Sequence, residues 1–279
     1  MDSRLNRKLN ALKQILLSMD KVLVAFSAGV DSSFLLKVAS MVLGKRVLAV
    51  CAVSLTYSAS ELKAAKKIAR RLGVRLKVIR SKEFDNPKFI QNSLKRCYYC
   101  KKELFSKLRQ LADKEGIKYI VDGSNLDDDK DFRPGKKAKE EYAISSPLAQ
   151  VGLCKKDIRR LSRHLELDTW NKPQLACLAS RIPYGRKISK SVLRKIEKGE
   201  DFLKKLGFRD VRLRDYGILA RIEVEKNRIK ELIQPAVGQR IIDRLKKLGY
   251  NYVTVDLEGY RAGSLNETIL RGKYEKNIS

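Results

Sequence analysis

The run Val22-Leu23-Val24-Ala25-Phe26 passes directly into Ser27-Ala28-Gly29-Val30-Asp31-Ser32 and then into Ser33-Phe34-Leu35-Leu36-Lys37-Val38-Ala39. No other stretch constrains the fold as much. The uncharged apolar run reads as a buried strand, the small residues as a tight turn, and the apolar positions that follow at helical spacing as a helix. A turn of small residues feeding a helix N-terminus suits an anion, because backbone N–H groups close on it and the helix end adds partial positive charge. Ser27 and Ser32 bring hydroxyl donors. Asp31, itself anionic, does not take phosphate directly; it holds Mg2+ or orients the loop. The spacing is not that of GxxxxGK[ST]. An ordinary strand–turn–helix with serine caps is the plain alternative.

Further along, the pattern repeats. An amphipathic helix over 4–18 carries Leu5, Leu9, Leu12, Ile15 and Leu16 on one face. Val47–Val53 reads as a second buried strand, 61–72 as a helix closed by Gly73, 76–79 as a third strand, 104–112 as a helix, 119–121 as a fourth strand and 144–148 as a short fifth segment, before a helix over 155–164. Strands alternating with helices predict an α/β fold with a doubly wound parallel sheet. Ligands of such sheets sit beyond the carboxyl ends of strands, which directs attention to the turns 27–32, 54–58 and 123–131. Pro183-Tyr184-Gly185 marks a boundary, so the expected domains are 1–182 and a smaller α+β domain over 183–279. The latter holds a helix over 190–206, strands over 211–214 and 219–224, a helix over 226–248 that Pro235 breaks or kinks, and a strand over 252–256. The polar tail 271–279 is expected to fray.

A chain of 279 residues with 43% hydrophobic content can bury a substantial core. No window approaches the roughly eighteen uncharged apolar residues of a membrane span. The opening Met1-Asp2-Ser3-Arg4 has no apolar signal region, so a cytoplasmic location is expected. The five cysteines, Cys51, Cys97, Cys100, Cys154 and Cys177, are odd in number and irregularly spaced, which argues against a disulfide framework. Net charge is +29, from 61 Lys+Arg against 32 Asp+Glu, spread along the whole chain. Such a field attracts polyanions, from nucleic acid to phosphorylated small molecules, or simply solvates a lysine-rich surface.

Several side chains suggest chemistry. Cys177 lies in a segment bounded by Pro173, Pro183 and Gly185, with Arg181 near enough in sequence to favour a thiolate. The competing reading is a small apolar cysteine flanked by Ala176 and Leu178. Cys97 and Cys100 form a C-x-x-C pair, which is half a zinc site, a redox pair or packing. Gly123-Ser124-Asn125-Leu126-Asp127-Asp128-Asp129 offers acids for Mg2+ on a pyrophosphate, or a solvated acidic turn. Arg133, before Pro134-Gly135, suits bidentate phosphate binding. Arg212 and Arg214 alternate on a strand and share a face, as phosphate ligands or as a solvent-facing basic strand. His164, the single histidine, sits in a charged helix end and suits capping rather than catalysis.

The 27–32 turn resembles the PP-loop of ATP pyrophosphatases, usually SGGxDS, with Ala28 in place of a usual glycine. The segment Ala176-Cys177-Leu178-Ala179-Ser180-Arg181-Ile182-Pro183-Tyr184-Gly185 resembles the cysteine loop of ATP-dependent sacrificial sulfur transferases of the LarE type. So do Arg96-Cys97-Tyr98-Tyr99-Cys100-Lys101, Asp131-Phe132-Arg133-Pro134-Gly135, Ala220-Arg221-Ile222-Glu223 and Asp256-Leu257-Glu258-Gly259-Tyr260-Arg261. The likeness runs through almost the whole chain.

It implies a PP-loop fold that uses ATP and Mg2+ to adenylate a carboxylate of a pyridinium dicarboxylate mononucleotide, a precursor of a nickel-pincer cofactor. Cys177 would displace AMP as a thiolate and give up its sulfur, leaving dehydroalanine, with Ser180 and Arg181 beside it. The resemblance implies nucleotide contacts from Ala25, Phe26, Ser27, Gly29, Asp31, Ser32, Val53, Ser54, Gly123, Asn125, Asp128 and Arg133. It also implies substrate-phosphate contacts from Arg212 and Arg214, and metal ligation by Asp31, Glu200, Glu223 and Glu231. Ser124 departs from the commoner Thr of the family's second nucleotide motif. Some members hold an iron–sulfur cluster with three cysteines; here the loop has Cys177 alone, which favours the sacrificial route. The expected partners are a phosphorylated pyridinium substrate and further copies of the chain, with no membrane. A PP-loop tRNA thiolation enzyme is the alternative, favoured by the charge and the C-x-x-C pair but lacking a recognisable RNA-binding module.

Overall fold

Val22, Val24, Val47 and Ala49 turn to one face of a sheet, and Leu23, Leu48, Val50 and Ile120 to the other. Strands that are apolar on both faces must be covered on both, and helices supply the cover. The computed structural model describes residues 2–54, 56, 59–130, 135–173, 177–261 and 263–267. Its first compact unit spans Met1–Leu175. In chain order it contains α1 (Ser3–Ser18), β1 (Val22–Ala25), α2 (Val30–Leu43), β2 (Val47–Val53), α3 (Ala59–Arg71), β3 (Arg75–Arg80), α4 (Pro87–Ile90), α5 (Arg96–Lys114), β4 (Tyr119–Asp122), α6 (Gly135–Glu141), β5 (Ile144–Ser145), α7 (Pro147–Gln150) and α8 (Lys155–His164).

All five strands of the first sheet are parallel, in the order β3-β2-β1-β4-β5. The chain leaves β1 toward β2 and later returns to β1's other side as β4, so the order reverses between β1 and β4. A crevice opens beyond the strand ends at such a switch point. Leu5, Leu9, Leu12 and Leu16 of α1 and Phe34 and Leu35 of α2 pack on one face, and Phe105, Leu108 and Ala112 of α5 on the other.

The second unit, Ala176–Ser279, contains α9 (Lys190–Lys205), β6 (Arg212–Asp215), β7 (Leu219–Glu223), α10 (Ile229–Leu232), α11 (Pro235–Lys247) and β8 (Tyr252–Val255). Its sheet is mixed, with β6 antiparallel and β8 parallel to β7. Leu203, Phe208, Leu213, Ile222, Ile241, Leu245 and Tyr250 form its core. The units divide at 175/176, where the sequence boundary stood at 182/183, and the Cys177 segment falls in the smaller one.

Three elements differ from expectation. The helix expected over 104–112 begins at Arg96, because its first two turns carry cysteines, tyrosines and lysines with no apolar stripe to announce them. The helix expected over 226–248 is broken rather than kinked at Pro235: α10 ends at Leu232, and Pro235 opens α11 at the position where a missing N–H costs nothing. Pro147 likewise ends the 144–148 segment as a strand and starts α7. Arg133 and the rest of 131–134, Ser58 and the tail lie outside the described residues.

Candidate functional site

The turn between β1 and α2 is built as a cradle. Phe26 continues the strand by donating its N–H to the Val50 carbonyl at 2.9 Å. The Ser27 N–H points to Ser32 Oγ at 3.3 Å, the two serine hydroxyls lie 3.1 Å apart, and Ser32 Oγ is 3.4 Å from the Gly29 carbonyl. Gly29 is the N-cap of α2 and makes no side-chain capping bond. Ala28 adopts φ +56°, the left-handed region, and is fully buried. Asp31 lies in the first turn of α2; one carboxylate oxygen, Oδ2, pairs with Lys155 Nζ. Its other oxygen, Oδ1, is buried without a hydrogen-bond partner. An orphaned buried carboxylate oxygen fits a divalent cation, so Asp31 suits Mg2+ as the resemblance implied.

The turn after β4 closes the cradle. A Cβ on Gly123 would meet Ser32 N at 2.8 Å, so the two turns touch through backbone. Behind Gly123, Asn125 is buried; its N–H donates to Asp128 Oδ2 at 3.1 Å and its Oδ1 accepts from the Asp127 N–H at 2.9 Å. Asp127 accepts the Lys155 backbone N–H at 2.8 Å. Asp127 and Asp128 are therefore engaged in shaping the turn. Ala25, Phe26, Ser27, Gly29, Asp31, Ser32, Gly123, Asn125 and Asp128 all lie at the two turns that flank the switch point. Val53 ends the neighbouring strand β2 and Ser54 follows it, with Ser54 Oγ 2.7 Å from Thr56 Oγ1. Thr56 in turn reaches the buried Glu83 at 3.3 Å, and Glu83 Oε2 has no partner.

Sequence reasoning passed over two lysines here. Lys155 opens α8, and Lys172 donates to the Ala28 carbonyl at 2.9 Å. Both reach the loop from more than a hundred residues away, and among 61 basic residues neither carries a signal.

In the second unit Cys177 is half-buried and is the N-cap of a short 3-10 turn, Leu178–Arg181. Two arginine–glutamate pairs back that turn. Arg181 donates through Nε and Nη2 to the two oxygens of Glu200 at 2.7 and 3.0 Å, and through Nη1 to the Cys177 carbonyl and Ser180 Oγ, both at 3.1 Å. Arg214 grips Glu223 in the same two-pronged way at 2.8 and 2.7 Å, and donates to the Ser180 carbonyl at 2.6 Å and to Ser264 Oγ at 2.8 Å. Burial alone would raise the Glu200 carboxyl, but the charge and hydrogen bonds of Arg181 overcome it and hold it below the usual carboxylate range. Arg212 lies over the Tyr260 ring at 4.8 Å; burial, then the nearby Arg181 charge, pulls its guanidinium below the usual arginine range.

These contacts correct three expectations. Arg181 does more than lend charge to a thiolate: it is neutralised by Glu200 and fixes the backbone of the turn. The strand bearing Arg212 and Arg214 does not face solvent, since both are about 5% exposed. Glu200, Glu223 and Glu231 do not converge on a metal. Each is held by a different arginine, Glu231 by Arg228 at the surface, and among the described residues no cluster of three or more His, Cys, Asp or Glu is placed to ligate one. Cys97 is exposed and Cys100 half-buried on the first turns of α5.

The NAD synthase family model matches residues 5–105, the part that carries the β1–α2 turn. An uncharacterised protein of Synechocystis is 38% identical over 96% of this chain and all of its own length. An uncharacterised protein of Methanocaldococcus jannaschii is 35% identical over 87% of the chain and 91% of its own. Pyridinium-3,5-bisthiocarboxylic acid mononucleotide synthase of Lactiplantibacillus plantarum is 34% identical over 91% of the chain and 92% of its own. With likeness of this degree across both units, on a five-stranded parallel sheet whose β1–α2 turn is a PP-loop, the chain belongs to the LarE family of PP-loop proteins.

Proposed function

We propose that this protein is an ATP-dependent sulfur transferase that makes a thiocarboxylate on a pyridinium dicarboxylate mononucleotide, drawing the sulfur from its own Cys177. The observation that carries the reading is the pairing, in one chain, of a nucleotide-type cradle with a cysteine turn backed by buried arginines. In the first unit, Ser27, Gly29, Ser32 and the α2 N-terminus suit the phosphates of ATP, with Gly123 keeping β4's turn close enough to wall the site. Asp31 Oδ1 would hold Mg2+, which when bound offsets charge on the pyrophosphate. Attack of a substrate carboxylate oxygen on the α-phosphorus then forms an acyl adenylate and releases pyrophosphate.

The Cys177 thiolate next attacks the activated carbonyl. A C–S bond forms, the C–O bond to AMP breaks, and a thioester results. Loss of the Cys177 α-proton and cleavage of its Cβ–S bond give a thiocarboxylate and a dehydroalanine. No external reductant is required. In the second unit, the buried guanidinium groups of Arg181, Arg212 and Arg214 lie near one another behind the cysteine turn, and such a group of arginines suits the substrate phosphate.

The deciding experiment is intact mass spectrometry of the protein after turnover with ATP and pyridinium-3,5-dicarboxylate mononucleotide. The expected product is a chain lighter by the mass of one hydrogen sulfide, with the change at position 177. Thiolated product alongside an unaltered Cys177 overturns the sacrificial route.

A further inference from the structure

Arg214 and Asp215 are neighbours at the end of β6, and a strand turns neighbours to opposite faces. Both take hold of the segment that carries Cys177. Arg214, on one face, donates to the Ser180 carbonyl at 2.6 Å. Asp215, on the core face with Leu213, has its Oδ1 3.4 Å from Arg186 Nη2. The far grip has a fitted seat. Asp215 Oδ1 also accepts the Gly217 N–H at 3.1 Å, which folds the β6–β7 turn back onto the carboxylate. A Cβ on Gly217 would lie 2.7 Å from Arg186 Nη2 and 2.9 Å from Nη1, so the fork of the guanidinium fills the space a side chain would need. The carboxylate does not depend on Arg186 alone: its Oδ2 accepts the Tyr250 hydroxyl at 3.0 Å and lies 3.9 Å from Lys195 Nζ. The Asp215 side chain is 1% exposed and that of Arg186 38%, so the arginine is the member of the group that can be altered without baring a buried charge.

Resting on the sulfur-transfer reading above, we propose that Arg186 and Asp215 are positioning residues for the Cys177 thiol: they pin the far end of its segment and so hold the 3-10 turn in the setting that serves attack on the activated carbonyl, touching neither nucleotide nor acceptor. The near end is fixed by Arg181, which donates to the Cys177 carbonyl, and by Arg214 at Ser180. Between the two grips the chain is short and stiff. The 3-10 turn runs to Arg181, and a reverse turn follows, closed by the Arg186 N–H on the Pro183 carbonyl at 3.2 Å, with the φ of Pro183 locked by its ring. Such a link passes the position of Arg186 back to the turn that Cys177 caps. With Arg186 released, the segment beyond Arg181 swings on one anchored end, and the thiol loses its aim while the arginine–glutamate pairs stay whole.

The test compares full-length wild type with Arg186→Met, Arg186→Lys and Asp215→Asn in two assays. The first follows pyrophosphate release and thiocarboxylate formation side by side in a single turnover with ATP, Mg2+ and pyridinium-3,5-dicarboxylate mononucleotide. In Arg186→Met, which keeps the stem and drops the charge, pyrophosphate release should stay within about twofold while thiocarboxylate formation falls roughly tenfold, the scale of a misplaced reacting group. Asp215→Asn should show the same split, and Arg186→Lys should recover most of the lost transfer. The second assay labels the ligand-free protein with iodoacetamide and reads each cysteine by peptide mass, with the exposed Cys97 as internal reference. Relative to Cys97, Cys177 should label about threefold or more faster in Arg186→Met, as a locally loosened segment does. Unchanged transfer in Arg186→Met, equal falls in both half-reactions, no recovery in Arg186→Lys, or unchanged Cys177 labelling overturns the positioning role while the sulfur-transfer reading stands. A wild type that forms no thiocarboxylate sinks that reading, and the labelling ratio alone then decides whether Arg186 sets the thiol. Arg186→Met carries the test should Asp215→Asn not fold.

Discussion

Gly123 and Ser32 meet so closely that a methyl group on the glycine would lie 2.8 Å from the serine's backbone nitrogen and 3.0 Å from its Cα. The obstacle is backbone at the start of α2, which no rotamer change relieves. Gly123→Ala is expected to cost roughly 1–3 kcal/mol, as overpacking does. It should also weaken ATP binding by prising the β4 turn from the PP-loop. Urea denaturation reads the first effect and calorimetry the second.

Ala28 stands at φ +56°, where an L side chain is strained by about 1 kcal/mol. Glycine relieves that strain but adds freedom to the unfolded chain. Ala28→Gly should therefore leave stability equal or raise it by up to about 1 kcal/mol. Ala28→Val, β-branched in a fully buried left-handed position, should lower it clearly. Denaturation midpoints of the two variants, moving apart in those directions, check the assignment.

The buried Arg181–Glu200 pair makes the second unit acid-sensitive. The Glu200 carboxyl is held below the usual range in the fold. Its contribution is thus complete above the unfolded value of about 4.3 and is lost as pH falls through the folded one. Melting temperature should drop as pH falls below about 4. Glu200→Gln should lose that part of the dependence and, by leaving Arg181 buried without its counter-ion, cost about 3–5 kcal/mol at neutral pH. Scanning calorimetry across pH measures both.

Cys177→Ala should abolish sulfur transfer while ATP is still cleaved to AMP and pyrophosphate, because adenylation precedes the thiol's attack. Asp31→Asn should impair the adenylation itself. Pyrophosphate release and product thiolation, assayed in parallel, separate the two steps; sulfur moving at the wild-type rate in Cys177→Ala would refute its role.

Much of the first unit was legible because β1, β2 and β4 are apolar on both faces and the small residues at 27–32 can serve few purposes but a tight turn. α8 matches its expected bounds, Lys155–His164, because Ile158 and Leu161 mark its buried face at helical spacing. The start of α5 was not legible, since Cys97 to Lys101 offers no such stripe. Long-range polar partnerships were hidden for a different reason. Nothing local distinguishes Lys155 or Lys172 from the other basic residues; the fold alone brings them 124 and 144 positions back to Asp31 and Ala28. Arg181 was singled out correctly as belonging to the cysteine segment, yet its partner Glu200 sits 19 residues on, and a sequence does not reveal which carboxylate closes a buried pair.

The ends of the parallel sheet have a consequence for how the molecule behaves in a crowd. One margin is β3, which carries Arg75, Lys77 and Arg80, two of them tied to Glu115. The opposite margin is β5, only two residues long. Charge on one border and brevity on the other deny an incoming strand a template, which guards against fibrous self-association. Part of the lysine and arginine excess thus acts as a fence rather than a lure for polyanions.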